Sequence, residues 1–205
     1  MNNFLLYLSQ RLTPARLQHS QGVMRVMADL VDIYGLDRDQ ALTAGLLHDA
    51  AKDLNQAQLL ALANEGGIEL TDPCDRHPVY LHALVGAYLV QRDLDISDQV
   101  VLRAIAAHSY ARDGLAGDTR LLNCLRVADI LAPVEAWEGI QKLKRWVYAD
   151  QLEEGSLLHC GWSIDYFREI GVPLHPNMQR EFMALSSKLA ISDTFFDKSN
   201  NYVEN

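Results

Sequence analysis

At 205 residues and 49% apolar composition the chain carries enough material for one continuous core, so a single globular domain is expected. A net charge of −9 and a pI near 5.1 exclude an extended nucleic-acid surface, which needs clustered Lys and Arg to replace counterions along a phosphate backbone. Cys74, Cys124 and Cys160, without a Cys-x-x-Cys pair, exclude a disulfide framework and a thiolate zinc site, and no apolar run approaches the roughly 20 residues of a spanning helix, so a soluble cytoplasmic protein is expected.

Near the N-terminus, Phe4 to Leu8 are apolar but are broken by Gln10 and Arg11, too short a stretch for a secretory h-region. Val23, Val26, Met27, Leu30, Val31 and Tyr34 then recur at helical spacing, and Gly35 falls where a left-handed cap is expected; His19 lies near the start of this helix. Asp37, with Gln40 at the third position, predicts the cap of a second helix whose buried stripe is Ala41, Ala44, Leu47 and Ala51. His48 and Asp49 fall toward its end. Residues 56–65 read as a helix stopped by Gly66-Gly67, and Thr71, Asp72, Pro73 and Asp75 as a loop.

A further helix starts near Pro78 and runs through His82, Gly86 and Val90; Gly86, one turn past His82, predicts a close approach by another part of the molecule. Ser97 is the expected cap of a helix from Val100 to Ala107 with His108 at its end. Leu121, Leu122, Leu125, Val127, Ile130 and Leu131 mark a buried helix that carries Asp129 and ends at Pro133. The segments 134–149, 151–170 and 178–190 are amphipathic, and strand signals are nearly absent, so the fold class is all-α. The expected organisation is one domain over 1–191, with a core of about 10–135, a helical extension over 136–191 and a flexible tail over 192–205.

His19, His48, Asp49, His82, His108 and Asp129 are six nitrogen and oxygen donors of the kind that build a pocket for one or two divalent cations. Adjacent side chains on a helix diverge by about a quarter turn, so His48 and Asp49 reach one ion only near a helix end. Asp129, between Ala128 and Ile130, is costly to bury alone: it either pairs with a cation such as Arg126 or binds metal, and the residues weigh these evenly. Imidazole and carboxylate without thiolate suit iron, manganese, cobalt, nickel or zinc and disfavour calcium. With two ions about 3.5–4 Å apart, Asp49 would be the bridging carboxylate. Lys52, four residues after His48, is placed either to hold a phosphate oxygen or simply to stand in water.

Arg16-Leu-Gln-His-Ser-Gln-Gly-Val23, Ala44-Gly-Leu-Leu-His-Asp-Ala-Ala-Lys-Asp53, His82-Ala-Leu-Val-Gly-Ala-Tyr88, Ala104-Ile-Ala-Ala-His108 and Val127-Ala-Asp129 occur in that order. Together they resemble the HD-domain metal-dependent phosphohydrolases, and within them the bacterial YqeK subfamily of symmetrical diadenosine-tetraphosphate hydrolases. Val172-Pro-Leu-His-Pro176 is similar to a segment that often precedes that subfamily's last helix, so the likeness spans about residues 10 to 186. His77 and His159 match no ligand of the family, and His175 lies in the Leu-His-Pro segment without being one.

The resemblance implies an HD-type helical bundle holding two divalent ions, iron by preference, on His19, His48, Asp49, His82, His108 and Asp129. It implies symmetrical hydrolysis of diadenosine tetraphosphate to two ADP by a metal-bridging hydroxide, with Lys52 as an added donor; Asp53 either positions water or orients Lys52 or, the more common case, is a plain exposed turn residue. The partner is then a small nucleotide, with a homodimer suggested and Trp137, Trp146 and Trp162 as its candidate apolar surface, although burial of those residues inside the monomer is the more common outcome. Members usually follow the last Asp with Lys-Ile-Glu-Pro and a nearby Arg, and the fifth motif with His-Thr and Gly. Here Ile-Leu-Ala-Pro-Val-Glu135 and Ser-Tyr-Ala-Arg112 stand instead, leaving Arg112 and Arg126 as the substitute polyphosphate contacts. The altered flanks keep open an HD phosphatase for another nucleotide or phosphomonoester, or a non-catalytic nucleotide-binding module.

Overall fold

The computed structural model describes residues 2–110, 119–132 and 138–189. Among them are ten α-helices and no strand: α1 Asn2–Ser9, α2 Pro14–Tyr34, α3 Arg38–Leu47, α4 Gln56–Glu65, α5 Pro78–Leu94, α6 Gln99–Ala107, α7 Thr119–Leu131, α8 Glu138–Tyr148, α9 Leu152–Glu169 and α10 Pro176–Lys188. A 3-10 turn, Pro73–Arg76, precedes α5. No helix among the described residues is long and apolar enough to cross a membrane.

The long helix α2 is the spine, with α3 and α7 packed on it and on each other. Its buried residues Val23, Met27, Leu30, Val31 and Tyr34 keep one stripe to the core, and Gly35 ends it at φ 59°, where the left-handed turn suits a residue without Cβ. At Gly45 the two backbones come close: a Cβ there would lie 3.0 Å from Met24 Cα and from Met27 Cγ. Around this pair, α6 packs on α3, α5 and α7, while α4 covers α5. The core formed by these elements also buries Leu143 and Val147 of α8 and Leu158 and Trp162 of α9.

Two local expectations, the α6 cap and the end of α3, are corrected. The cap of α6 is Asp98 rather than Ser97; its carboxylate accepts from the amides of Val100 and Val101, a reach that Ser97 has one residue too early. The α3 helix stops at Leu47, so His48 to Asp53 lie in consecutive tight turns and not on a helix. The partner that approaches Gly86 is that same turn, whose His48 carbonyl would sit 3.5 Å from an added Cβ. The helix α1 carried no distinct periodicity; Tyr7 and Leu8 bury it, and the Tyr7 hydroxyl donates to Asp93 at 2.9 Å. Trp162 is buried inside the monomer, Trp146 is half-buried against the core, and Trp137 lies outside the described residues.

The C-terminal helices α9 and α10 pair with each other, and α9 lies on α7 and α8. A second apolar cluster, Tyr80, Tyr110, Ile164, Phe167, Val172 and Met178, seams them to the start of α5 and to the chain leaving α6.

Candidate metal centre

Five elements deliver the six expected donors: α2 carries His19, the turn after α3 carries His48 and Asp49, α5 carries His82, the end of α6 carries His108 and α7 carries Asp129. The end of α3 is what lets neighbouring residues share a target. Leaving the helix through i to i+3 turns brings His48 Nε2 and Asp49 Oδ2 to 3.6 Å of one another. His19 Nε2 lies 2.8 Å from Asp129 Oδ1, which is 3.4 Å from His48 Nε2. On the other side, Asp49 Oδ1 is 3.1 Å from His82 Nε2 and 3.5 Å from His108 Nε2.

Three ligand triads therefore overlap: His19, His48 and Asp49; His48, His108 and Asp129; and Asp49, His82 and His108. Asp49 is shared by the two outer triads and turns a different oxygen to each.

The ring tautomers follow from the backbone. His48 Nδ1–H donates to the Gly45 carbonyl at 2.9 Å, His82 Nδ1–H to that of Pro78 at 3.0 Å, and His108 Nδ1–H to that of Ile105 at 2.8 Å. A carbonyl oxygen only accepts, so each Nδ1 bears a proton, and the neutral His82 and His108 rings turn an Nε2 lone pair inward. Two such lone pairs, on His82 and His108, stand 3.1 Å apart. Buried His48 Nε2 and Asp49 Oδ1 have no hydrogen-bond partner. Two carboxylates and four imidazoles converging in a largely buried site fit a cation.

The electrostatics point the same way. Burial opposes charge on His48, but Asp49 and Asp129 override it and push its pKa up to about 9, so the pocket demands positive charge. Burial would raise Asp49, yet His48 and Lys52 hold it well below the usual carboxylate range; His19 and His48 do the same for Asp129 against its burial. Burial and then Lys52 bring His82 down to about 4, and burial lowers His108, which keeps both rings neutral and available as donors to a cation. Lys52 is at the rim, its Nζ 3.0 Å from His82 Nε2 and 3.4 Å from Asp49 Oδ1, with about a quarter of its side chain exposed.

Two residues predicted at the site are engaged elsewhere. Asp53 accepts from the Thr13 amide at 2.6 Å and pairs with Arg16 at 2.8 Å, tethering the start of α2 rather than orienting Lys52. Arg126 is buried on α7 and paired with Glu181 of α10, closed to a ligand in solvent. Arg112 lies outside the described residues. Of the remaining histidines, His77 caps α5, His175 caps α10 and His159 is buried in α9, where burial and then Arg126 bring its pKa down to about 3.

Comparison with known proteins bears on this geometry. The family model described as HD domain matches residues 16–134, a span that contains all six donors. The chain is 32% identical over 146 residues to the symmetrical bis(5'-nucleosyl)-tetraphosphatase of Bacillus subtilis, covering 71% of this chain and 76% of that one. It is also 32% identical over 139 residues to the protein of the same name from Halalkalibacterium halodurans, covering 68% and 72%. A crystal structure of a predicted HD superfamily hydrolase from Clostridium acetobutylicum superimposes with a TM-score of 0.81 at 30% identity, over 91% of this chain and 97% of that one. With its ordered motifs, its donor cluster and these relatives, the chain belongs to the HD-domain family of metal-dependent phosphohydrolases.

Proposed function

We propose that this protein holds two divalent cations, iron by preference, and hydrolyses diadenosine tetraphosphate symmetrically to two ADP. The observation that carries the reading is Asp49, a buried carboxylate facing His48 with one oxygen and His82 and His108 with the other. One ion serves the donors on one side of a carboxylate; donors on both sides suit a pair. The names of the Bacillus and Halalkalibacterium relatives support the substrate.

Bound divalent cations supply Lewis-acid activation of water and neutralise charge on phosphoryl oxygens. The chain's own groups do the rest. His48, His82 and His108 are held by backbone carbonyls in the tautomer that presents Nε2, so no reorientation is needed on loading. Lys52, at the rim, turns its ammonium to a phosphoryl oxygen, adding a charge-assisted donor where negative charge grows. The water oxygen bonds to phosphorus as the bond to the departing ADP oxygen breaks, and ADP leaves as a stable anion without a strong general acid. With Arg126 closed to solvent, Lys52 is the basic group among the described residues that we place against the polyphosphate.

Incubating cation-loaded protein with diadenosine tetraphosphate and resolving the products chromatographically tests the proposal. ADP alone is the expected result. AMP plus ATP, or no product, would overturn it.

A further inference from the structure

A second buried histidine–aspartate cluster lies outside the cation centre. Asp75, fully buried in the 3-10 turn, accepts on Oδ2 from the amides of Thr71 at 2.9 Å and Asp72 at 3.1 Å. Its Oδ1 accepts from the Tyr110 hydroxyl and lies 3.5 Å from His175 Nε2. The Asn177 amide donates to His175 Nδ1 at 3.1 Å, so that nitrogen is an acceptor and the ring proton is on Nε2, facing Asp75. Tyr110 stacks on His175 with ring centroids 4.2 Å apart. The Tyr80 ring meets both edge-on, while its hydroxyl donates to Pro173 O at 2.8 Å and accepts from the His175 amide. Both Asp75 oxygens are filled by donors, so this cluster is built to hold structure and not to receive an ion.

What it holds is next to the cation ligands. Tyr110 follows His108 by two residues and Tyr80 precedes His82 by two. The carbonyl that fixes the His82 ring belongs to Pro78, in the helical turn that Tyr80 pins to Pro173. His108 leaves the last turn of α6 in a segment that Tyr110 anchors to Asp75 and, through His175, to the head of α10. We propose that Tyr110, Asp75 and His175 form a positioning network for the Asp49, His82 and His108 half of the cation cluster, and that the Leu-His-Pro segment of the C-terminal helices serves it. The inference rests on the reading of that cluster as a cation site.

Three variants of the full chain test it, each stripped with chelator and titrated with Mn²⁺. Tyr110→Phe removes one hydroxyl and keeps the stacked ring. His175→Asn keeps an acceptor for the Asn177 amide and removes the donor beside Asp75, whereas His175→Gln restores a donor near that place. Mn²⁺ affinity is expected to fall about 10-fold in Tyr110→Phe and in His175→Asn and to recover in His175→Gln. The visible spectrum of the Co²⁺-loaded protein should change in the first two; the melting temperature of the metal-free protein should fall by a few degrees, because buried Asp75 loses a donor, while the helical circular dichroism is unchanged. Affinity within twofold of wild type and an unchanged Co²⁺ spectrum would overturn the network. Wild-type protein that takes up no Mn²⁺ would sink the cation reading and the network together, while wild-type uptake with unaffected variants would sink the network alone. Should His175→Asn fail to fold, Tyr110→Phe decides, since it preserves the packing.

Discussion

The two buried histidine–aspartate clusters use the same residue types to opposite ends. Around Asp75 the carboxylate is met by donors on both oxygens, from two amides, a tyrosine hydroxyl and an imidazole N–H. Around Asp49 the neighbouring rings have their protons turned away toward backbone carbonyls, and His48 Nε2 and Asp49 Oδ1 are buried without partners. Burying a polar group costs free energy unless something satisfies it. The first cluster satisfies itself and braces the fold, whereas the second leaves buried acceptors in a set that could hold a cation. Satisfaction of the polar atoms, and not the presence of His and Asp, separates scaffold from chemistry here.

The sharpest way to break that contrast is Asp49→Asn. The amide is neutral and a poorer ligand at the position shared by both outer triads. Cation content measured by plasma emission and turnover of the dinucleotide should each fall more than about 100-fold, while circular dichroism of the helices is unchanged. Full cation content in the mutant would refute the role given to Asp49.

The contrast also sets a pH dependence. In the metal-free protein His48, with its pKa raised from 6.5 to about 9, holds a proton that a cation must displace. That proton contributes stability fully present below pH 6.5 and lost as pH rises through about 9, because the folded state binds it more tightly than the unfolded chain. Because a cation must displace that proton from the folded protein, cation affinity rises by up to about tenfold per pH unit as pH climbs toward about 9 and levels off above it. Calorimetric titrations in buffers of different ionisation enthalpy should show about one proton released per His48 site near neutrality. A flat affinity over this range would show that His48 is already neutral.

How far the sequence reaches is visible in the same residues. The convergence of the six candidate donors was legible because their spacing follows helix ends, where His48-Asp49 and His108 stand, and because their order resembles a known family. The tether of Asp53 to Thr13 and Arg16, the pairing of Arg126 with Glu181 and the meeting of Asp75 with His175 were not. Each joins residues from distant parts of the chain through packing that no local periodicity encodes. An Asp beside a catalytic turn looks the same in sequence whether it faces water, a lysine or a helix start.

A smaller effect is expected where the spine and α3 touch. Gly45 supplies the carbonyl that orients His48 and stands where a Cβ would press on the α2 backbone at Met24. Gly45→Ala should cost about 1–3 kcal/mol of stability, because a rigid backbone must move, and should weaken cation binding by shifting His48 against His19. Thermal denaturation with and without Mn²⁺ separates the two effects. Undiminished cation stabilisation in the mutant would show that the α2–α3 spacing does not set the cluster.

The mildest variant is the best control on the contrast, since Asp53 lies only four residues beyond Asp49 in the same motif. Both of its oxygens are satisfied, by the Thr13 amide and the Arg16 guanidinium, and it is part-exposed, so it belongs with the self-satisfied carboxylates. Asp53→Ala should therefore cost about 1 kcal/mol, seen as a fall of roughly 2–4 °C in melting temperature, with cation content unchanged and turnover within about twofold. Arg16→Ala should reproduce much of that loss, and the double mutant should add little, because the two side chains share one interaction. If Asp53→Ala instead abolished turnover at full cation content and unchanged melting, a carboxylate with both oxygens filled would be acting in catalysis, and polar satisfaction would no longer tell brace from site.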